Sequence, residues 1–319
     1  MVTSTSAQIF AIISLMRFSV VIPTYNRSEK LEECLKALFA VRYDKKNFEI
    51  LVIDDGSCDD TENVVKKNAE KSPVLLRYYK KSNQGQGVAR NMGIDLAKGE
   101  IIVFIGDDVI VTEDFLAEHD KAHLSHPEEN SAVLGYITWH YKLPITPLMR
   151  FMERGGAILG RFGGNQFAFD LLEGKTEADY RFFYTSNISL KRTLLKRFKF
   201  DPWFSGYGWE DIELGYRLTK KAALKLFYQP NAIAYHDHMI TEEQWASRMH
   251  DIGASSVRLH SKYPELAKIP SQRKEMIFRI LGSGIFTKLI RPVSKNLYYY
   301  GLSKKYFMEG IKQAYINNI

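Results

Sequence analysis

The feature that most constrains the fold is an alternation of two patterns through the first 110 residues. Short apolar runs rich in β-branched residues are separated by segments whose apolar residues recur at helical spacing. The apolar runs are FSVVIP (18–23), FEILVID (48–54), VLLRYY (74–79) and IIVFI (101–105). Strands that alternate with amphipathic helices are typical of βαβ units, which build a mainly parallel sheet covered on both faces. The sequence therefore predicts an α/β fold.

Polar residues stand where three of these predicted strands end. In an open parallel sheet, ligands bind beyond the carboxyl ends of the strands. The pairs at these ends are Pro23-Thr24, Asp54-Asp55 and Asp107-Asp108. Because three strands direct polar groups at one edge of the sheet, we expect a single binding site there.

The second pair and a glycine-rich segment suggest a nucleotide ligand, although each has a structural alternative. Asp54 and Asp55 could accept hydrogen bonds from a base or a ribose, or could cap the next helix. The segment NQGQGVARNMGI, from Asn83, could meet a phosphate with its amides and with Arg90. Glycine-rich helix starts are common, however. The segment is not GxGxxG and follows the third strand, which argues against a dinucleotide-dehydrogenase fingerprint.

The segment Gly106-Asp107-Asp108 is a candidate cation site. Hard divalent cations take oxygen ligands and commonly share them with substrate phosphates. One carboxylate at a strand end is enough to hold such an ion, and its neighbour could bind a ribose. The alternative is a solvated turn.

Two later motifs supply candidates for acid/base chemistry and for a further metal ligand. Glu210 and Asp211 open a predicted helix, where the helix dipole favours acids in any case. One of them could instead act as a general base toward an acceptor hydroxyl. His236 follows a predicted strand and is a candidate metal ligand, with His238 as the alternative.

The remainder of the chain is less regular. Residues 136–180 are partly glycine-rich and lack periodicity, which predicts a mobile loop. The runs LKLFY and AIAYH predict a short strand pair, and the chain looks helical from about residue 241. Two cysteines are too few for a disulfide framework. Cys34 lies at an apolar helical position, which predicts a buried thiol and a reducing compartment, whereas Cys58 carries no such pattern.

The order of the motifs is more specific than any one of them. FSVVIPTYNR, VIDDGS, NQGQGVARNMGI, FIGDDV, GWEDIELGYRL and AYHDH follow one another between about residues 17 and 260. In this order they resemble the family 2 glycosyltransferases of the GT-A fold. The resemblance implies a Rossmann-like, mostly parallel sheet flanked by helices, and a helical C-terminal extension. It also implies an inverting transfer of a sugar from a nucleotide-diphosphate donor, such as a UDP-sugar, to a hydroxyl acceptor in cell-surface polysaccharide or glycolipid synthesis.

The resemblance further assigns roles to individual residues. Asp211 would be the catalytic base, and Glu210 and Trp209 would contact a saccharide or lipid-linked acceptor. Asp108 and His236 would bind Mn²⁺ or Mg²⁺ on the diphosphate. The implied nucleotide contacts are Pro23, Thr24, Tyr25, Arg27, Asp54, Asp55, Asn83, Arg90 and Asp107.

One position departs from the family pattern. The family's usual Asp-x-Asp motif has Gly106 in its first place, so Asp108 is taken as the remaining metal carboxylate. The rival hypothesis is a catalytically degenerate nucleotide-sugar-binding or scaffold protein, which Gly106 supports. Intact Asp108, Asp211 and His236 argue against it.

This interpretation divides the chain into three parts. Residues 1–16 are predicted to be a disordered leader, and residues 1–15 of it are predicted to be dispensable. Residues 17–260 form the GT-A domain, with a nucleotide-binding half at 17–110 and an acceptor-binding half at 111–260. Residues 261–319 form the basic, aromatic extension.

The positive charge of the chain is concentrated in this extension. From Lys262 to Ile319 there are eleven Lys or Arg and three Glu, whereas the preceding residues are close to neutral. Basic residues interleaved with aromatic and aliphatic ones are typical of helices at a membrane surface. The alternative is a helical subdomain with a solvated basic face. We expect a cytoplasmic protein without a nucleic-acid partner, and peripheral contact with the inner face of the cell membrane is a hypothesis.

Overall fold

Strands and helices alternate along the first half of the chain, as the pattern predicts. The computed structural model describes residues 16–155, 157–158, 161–162, 164, 166–204, 208–266 and 268–317, so residues 1–15 of the predicted leader lie outside the described residues. The strands are β1 (Phe18–Thr24), β2 (Phe48–Asp54), β3 (Leu75–Lys80), β4 (Ile101–Ile105), β5 (Val109–Val111), β6 (Ser131–Trp139), β7 (Ala157–Ile158), β8 (Arg161–Phe162), β9 (Glu177–Ala178), β10 (Asn187–Lys191) and β11 (Lys225–His236).

The helices cover both faces of the sheet and then form the C-terminal part of the chain. They are α1 (Ser28–Ala40), α2 (Thr61–Ala69), α3 (Gln86–Leu96), α4 (Phe115–Ser125), α5 (Pro147–Met152), α6 (Arg192–Arg197), α7 (Glu210–Ala222), α8 (Glu242–Lys262), α9 (Gln272–Leu281), α10 (Gly284–Ile290) and α11 (Lys295–Ile316). Short 3-10 helices span Phe169–Leu172, Tyr180–Phe182 and Pro264–Leu266.

One sheet organises the fold, in the order β3-β2-β1-β4-β10-β6-β11-β5, with β9 paired to β11. The four strands predicted from the apolar runs form its parallel half. Every residue of β1, β2 and β4 is buried, because helices cover both faces there. Beyond β4 the sheet is mixed: β10 runs antiparallel to β4 and β6, whereas β6 and β11 are parallel.

Helix α3 packs unusually close to the sheet, and a glycine permits it. A Cβ added to Gly93 would lie 2.3 Å from Cγ1 of Val21 in β1. A side chain at this position would therefore push α3 away from β1. The close approach fixes the glycine-rich start of α3 at the carboxyl edge of the sheet.

Two sequence-based expectations are wrong. Residues 136–180 are not a single loop where they are described, because β6 continues to Trp139, α5 follows, and the Trp139 indole donates to the Met149 carbonyl (3.1 Å). Residues 156, 159, 160, 163 and 165 of the glycine-rich stretch lie outside the described residues. Apolar side chains such as Phe151 and Leu172 are buried, so packing holds the described parts on either side of the glycine-rich stretch without any periodicity. The predicted strand pair at 224–236 is one strand, β11, whose pairing with β6 shifts register between Gln229 and Ile233.

The chain is helical from residue 242 onward, as expected. Helices α8 and α11 pack along each other at a pair of glycines, where a Cβ on Gly253 or Gly310 would meet the facing backbone at 2.1 and 1.9 Å. Within the described residues, no helix is both long and apolar enough to cross a membrane. The proposed boundary near residue 260 remains a prediction.

Candidate active site

The ends of β1 and β4 place three predicted site residues in direct contact. The two strands are parallel neighbours, and the Thr24 hydroxyl donates to Asp107 Oδ2 (2.8 Å). Asp107 and Asp108 are each only 6% exposed. Arg27 Nη1 lies 2.6 Å from Asp108 Oδ2 and 3.2 Å from Asp107 Oδ1. The aspartate pair is therefore not a solvated turn, because a single guanidinium bridges two buried carboxylates.

The two neighbouring carboxylates have opposite electrostatic environments. Burial and the charge of Asp108 raise the pKa of Asp107 to about 6. Burial also disfavours the charged form of Asp108, but His236 in its protonated form and the guanidinium of Arg27 outweigh burial, so the pKa of Asp108 lies below its usual value. Since burial lowers the pKa of His236, that imidazole is neutral near pH 7 and Arg27 is the cation that Asp108 meets. Asp108 is thus the member of the pair that stays ionised to lower pH.

His236 reaches the same place from β11. The antiparallel pairing of β5 with β11 sets His236 opposite Val109, the residue after Asp108. The His236 Nε2 atom lies 3.5 Å from Asp108 Oδ1. His238 is farther away along the chain, with its ring 6.2 Å from that of His236. The geometry favours His236 over His238 as the partner of Asp108.

Asp108 and His236 fit a divalent cation that is completed by substrate. Two donors on neighbouring corners of one octahedral ion, at bonds of about 2.1 Å, lie roughly 3 Å apart. The observed 3.5 Å is close to that separation. Among the described residues, no group of three or more His, Cys, Asp or Glu side chains could hold an ion by itself. An ion here would need further oxygens, which is the usual situation for a cation shared with phosphates.

Gly106 lies close to the Asp108 carboxylate. A Cβ added to Gly106 would lie 3.0 Å from Asp108 Oδ1 and 3.4 Å from Val109 Cγ2. A side chain at 106 would therefore require the Asp108 carboxylate to shift by a few tenths of an ångström. Glycine at this position leaves the Asp108 carboxylate 2.6 Å from Arg27 Nη1 and 3.5 Å from His236 Nε2.

A second acidic group forms where α7 begins. Trp209 caps the helix in a left-handed conformation (φ 72°), and Glu210 and Asp211 follow in its first turn. The Glu210 Oε1 atom lies 3.5 Å from Nη1 of Arg90 in α3. Burial, followed by the charge of Glu210, raises the pKa of Asp211 to about 7. An acid with this pKa can take up a proton and release it near neutral pH.

Several buried polar atoms of the site have no partner. Among the described residues, they include Nε of Arg90, Oε2 of Glu210 and Nδ1 of His236. Such atoms are rare in folded proteins and are commonly explained by function. Here they lie beside the candidate base and the candidate metal ligand.

Asp54 and Asp55 have partners within the fold. Asp54 is fully buried, and its two oxygens accept from the Ser57 amide (2.7 Å) and the Tyr78 hydroxyl (2.6 Å). Asp55 is paired with Lys81 and accepts from the backbone amides of Gln84 and Gly85. Both carboxylates therefore stabilise the turn after β2 and the glycine-rich loop before α3, and direct contact with a nucleotide stays a prediction.

The remaining predicted site residues differ in accessibility. Pro23 is buried within β1, while Tyr25 and Asn83 are exposed near the ends of β1 and β3. The Trp209 indole donates to the Ile252 carbonyl (2.9 Å), and Lys268 Nζ lies 4.5 Å from the ring centroid. One face of Trp209 is thereby covered, so only the other face could stack on a sugar.

Two ion pairs at this edge were missed in the sequence. Lys81, which pairs with Asp55, directly follows β3, so the rule applied to the other strand ends could have found it. Asp237 pairs with Lys30 (3.0 Å), and its amide donates to the Asp108 carbonyl. The only signal for this aspartate is its position between two histidines.

Comparison with known proteins gives a consistent result. A family model described as Glycosyl transferase family 2 matches residues 19–187. The uncharacterised glycosyltransferase YfnE of Bacillus subtilis is 26% identical over 292 residues, which cover 80% of this chain and 72% of the relative. Validoxylamine A glucosyltransferase of Streptomyces hygroscopicus subsp. jinggangensis is 29% identical over 293 residues, or 84% of this chain. The match spans 64% of that glucosyltransferase, less than two thirds of its length.

A short match and two solved structures extend the comparison. The GalNAc(5)-diNAcBac-PP-undecaprenol beta-1,3-glucosyltransferase of Campylobacter jejuni is 39% identical over 94 residues, 29% of each chain. The mannosyltransferase PcManGT of Pyrobaculum calidifontis, in complex with GDP-Man and Mn²⁺, has a TM-score of 0.64 at 19% identity and covers 95% of this chain and 88% of its own. TarS 1-349 of S. aureus, in complex with UDP, has a TM-score of 0.52 at 19% identity, with coverage of 95% and 92%. At such identities the structural likeness concerns the fold.

Proposed function

The chain belongs to glycosyl transferase family 2, and from this premise we propose that it moves a sugar from a UDP-sugar to a hydroxyl acceptor with inversion at the anomeric carbon. The predicted family and GT-A fold are confirmed. The acceptor belongs, in this proposal, to a cell-surface polysaccharide or a glycolipid. The names of the relatives support this, since one acts on an undecaprenol-linked saccharide and the TarS structure contains UDP.

One observation supports the proposal most: two chemically distinct acidic groups belong to the carboxyl edge of the sheet. Asp108 is ionised and faces His236 Nε2 at 3.5 Å. Asp211 has a pKa near 7 and adjoins Glu210, which lies within reach of Arg90 on α3. Sugar transfer from a nucleotide diphosphate requires charge compensation at the leaving group and a base for the acceptor. This edge offers a candidate for each.

The proposed reaction is a single displacement. The Asp211 carboxylate takes the proton of the acceptor hydroxyl, whose oxygen forms a bond to the anomeric carbon. The bond from that carbon to the diphosphate oxygen breaks, and its electron pair leaves with the nucleoside diphosphate. Asp108 and His236 would hold Mn²⁺ or Mg²⁺, which offsets negative charge on the departing diphosphate when bound. Glu210 and the open face of Trp209 orient the acceptor.

A panel of nucleotide sugars tests this function. The protein is incubated with UDP- and GDP-sugars and Mn²⁺, and released UDP or GDP is measured. We expect release from a UDP-sugar, and release that is slower by roughly 10²-fold or more when Asp211 is replaced by Asn. A scaffold protein would bind nucleotide sugars without releasing nucleotide from any of them, and that result would refute the proposed activity.

Arg27 has a separate role in this proposal: it supplies positive charge to Asp107 and Asp108 until the donor arrives. The positive charge of Arg27 would repel a metal ion that binds Asp108. The diphosphate of the donor would offer the guanidinium another anionic partner. Arg27 would then move from the carboxylates to the diphosphate, leaving Asp108 to the metal ion. Donor and ion would consequently bind together.

The replacement Arg27→Met, which keeps the length of the side chain but removes its charge, tests this role. We expect Mn²⁺ affinity of the nucleotide-free protein to rise by about tenfold, which corresponds to about 1.4 kcal/mol of relieved repulsion. Affinity for UDP without metal should fall. Calorimetric titration with Mn²⁺ alone measures the first effect without any activity assay.

Lys30→Met is the matched control, since Lys30 is a neighbouring cation that pairs with Asp237. It should leave Mn²⁺ affinity within about twofold of the wild type. Equal Mn²⁺ affinity in wild type and Arg27→Met would show that Arg27 does not oppose the ion.

We further propose a cytoplasmic location, with peripheral membrane contact through residues 261–319. The cytoplasmic location rests on two free cysteines, of which Cys34 is buried as predicted. The membrane contact depends on one surface of the extension.

A further inference from the structure

Helices α9 and α10 present an apolar face that nothing in the described structure covers. Of the fifteen large apolar side chains that are exposed among the described residues, six lie between residues 276 and 293. These six, here called the α9–α10 face, are Met276 (61% exposed), Ile277 (49%), Ile280 (57%), Ile285 (77%), Leu289 (70%) and Val293 (77%). Every residue of α9 is described, and none of them is buried. Apolar side chains grouped in this way mark an interaction surface.

The opposite sides of these helices hold them in place on α11. A Cβ added to Gly282 would lie 2.9 Å from Lys305 Cβ, and one added to Gly301 would lie 2.3 Å from the Leu281 carbonyl oxygen. The Lys304 ammonium lies 5.3 Å from the centre of the Phe278 ring. Thr287 of α10 is buried. The helices are therefore docked on the protein by one side while the α9–α10 face points away.

Spacing along the chain explains why the exposed apolar residues within each helix share a side. Ile277 and Ile280 are three residues apart in α9, with Met276 beside them, and Ile285 and Leu289 are four apart in α10. Residues three or four apart lie on one side of a helix. Phe278 and Leu281 of α9 share a different side, which is the one turned to α11.

Basic residues are interspersed with these apolar residues along the chain. Between residues 272 and 295 the chain has six basic residues and one acid, Glu275. All six are exposed: Arg273, Lys274, Arg279, Lys288, Arg291 and Lys295. An apolar face bordered by Lys and Arg is the composition of helices that lie in the interface of an anionic bilayer.

We infer that the α9–α10 face docks on an anionic lipid surface. The positive charge also favours a lipid surface over a second copy of the chain as the partner of this face, because two such faces would bring like charges together. Docking itself does not depend on sugar transfer. The further consequence, that docking holds the active site near lipid-linked acceptors, rests on the proposed function.

Binding to vesicles tests the inference with the full chain. Wild-type protein is sedimented with vesicles of phosphatidylcholine and phosphatidylglycerol, and with phosphatidylcholine alone, at about 50 mM and about 500 mM NaCl. We expect binding to the anionic vesicles at low salt, and at least about tenfold weaker binding to neutral vesicles or at high salt. Absence of binding to anionic vesicles at low salt would overturn the inference.

Variants identify the surface. The double variant Ile280→Glu/Leu289→Glu should lose at least about tenfold in vesicle affinity, and Lys288→Gln/Arg291→Gln should weaken binding to anionic vesicles only. Leu124→Glu is the matched control, because Leu124 is 69% exposed on α4, and it should bind as wild type does. Thermal melts check that each variant is folded.

Two results would count against the assignment. If the double glutamate variant bound vesicles as tightly as Leu124→Glu, another surface would carry the contact. If sedimentation velocity showed that the wild type dimerises through this face, with the double variant monomeric and neither protein binding vesicles, the occupant would be a second copy of the chain.

Discussion

We expect Asp211→Asn to lower the rate of sugar transfer by roughly 10²–10⁴-fold, the range attributed to general acid–base catalysis. Asparagine has nearly the same shape but cannot accept the hydroxyl proton. The Asp211 Oδ1 atom accepts from the Ile212 amide (2.8 Å), and an amide oxygen at this position can keep that bond. UDP affinity in the presence of Mn²⁺ should stay within about twofold of wild type. Steady-state rates and calorimetric UDP binding measure the two quantities separately.

The pH dependence of the rate gives a second test of Asp211. Because burial raises the pKa of Asp211 to about 7, the wild-type rate should fall as the pH drops through that value and the base becomes protonated. The residual rate of Asp211→Asn should lack this dependence. Asp95→Asn, on the exposed surface of α3, removes a carboxylate that pairs with Lys199 and should preserve both the rate and its pH profile. A wild-type rate in Asp211→Asn would disprove the assignment.

Asp211→Asn should raise the free energy of unfolding above about pH 4, although it lowers the rate of sugar transfer. The folded pKa of Asp211 lies above the unfolded value of about 3.9, so folding favours the protonated acid. Ionisation therefore costs stability progressively as the pH rises from about 4 to about 7, and the full cost applies above that window. Asp211→Asn removes this cost. Its melting temperature should exceed that of the wild type at about pH 8, and the difference should disappear near pH 4.

The parallel half of the sheet and the position of the site could be predicted because local patterns determine both. Apolar runs such as IIVFI are buried on both faces, so they have no alternation that could confuse the assignment. Once strands are assigned, the carboxyl-edge rule places Thr24, Asp107 and Asp108 together without any structure. The contact between Thr24 and Asp107 is the outcome that this reasoning expects.

Features that depend on tertiary packing could not be predicted in the same way. QPN at 229–231 reads as a break between two strands, but β11 absorbs it as a change of register along β6. The segment around Phe151 lacks periodicity because its side chains pack against different neighbours, including Trp245 and Tyr299. The bridging position of Arg27 depends on a side-chain conformation that the motif PTYNR does not specify.

The second large effect is expected for Asp108→Asn. Asp108 is the ionised carboxylate beside His236, and an amide is a much weaker ligand for a hard cation. Loss of a residue that merely supports a metal ligand costs about 10–100-fold in metal affinity, so loss of the ligand itself should cost at least as much. Added Mn²⁺ should then no longer strengthen UDP binding. Calorimetric titration of UDP with and without Mn²⁺ measures this difference directly.

Asp237→Asn separates a metal role from a general loss of negative charge at this edge. Asp237 follows His236 and pairs with Lys30, and its backbone amide donates to the Asp108 carbonyl, a bond that the replacement keeps. The UDP affinity of Asp237→Asn should still rise when Mn²⁺ is added, as in the wild type. If Mn²⁺ strengthened UDP binding in neither Asp108→Asn nor Asp237→Asn, the net charge of this edge, and not one metal ligand, would govern the effect of Mn²⁺. If the UDP affinity of Asp108→Asn still rose with Mn²⁺, the ion would bind elsewhere. Arg27 would then remain paired with the two aspartates when the donor is bound.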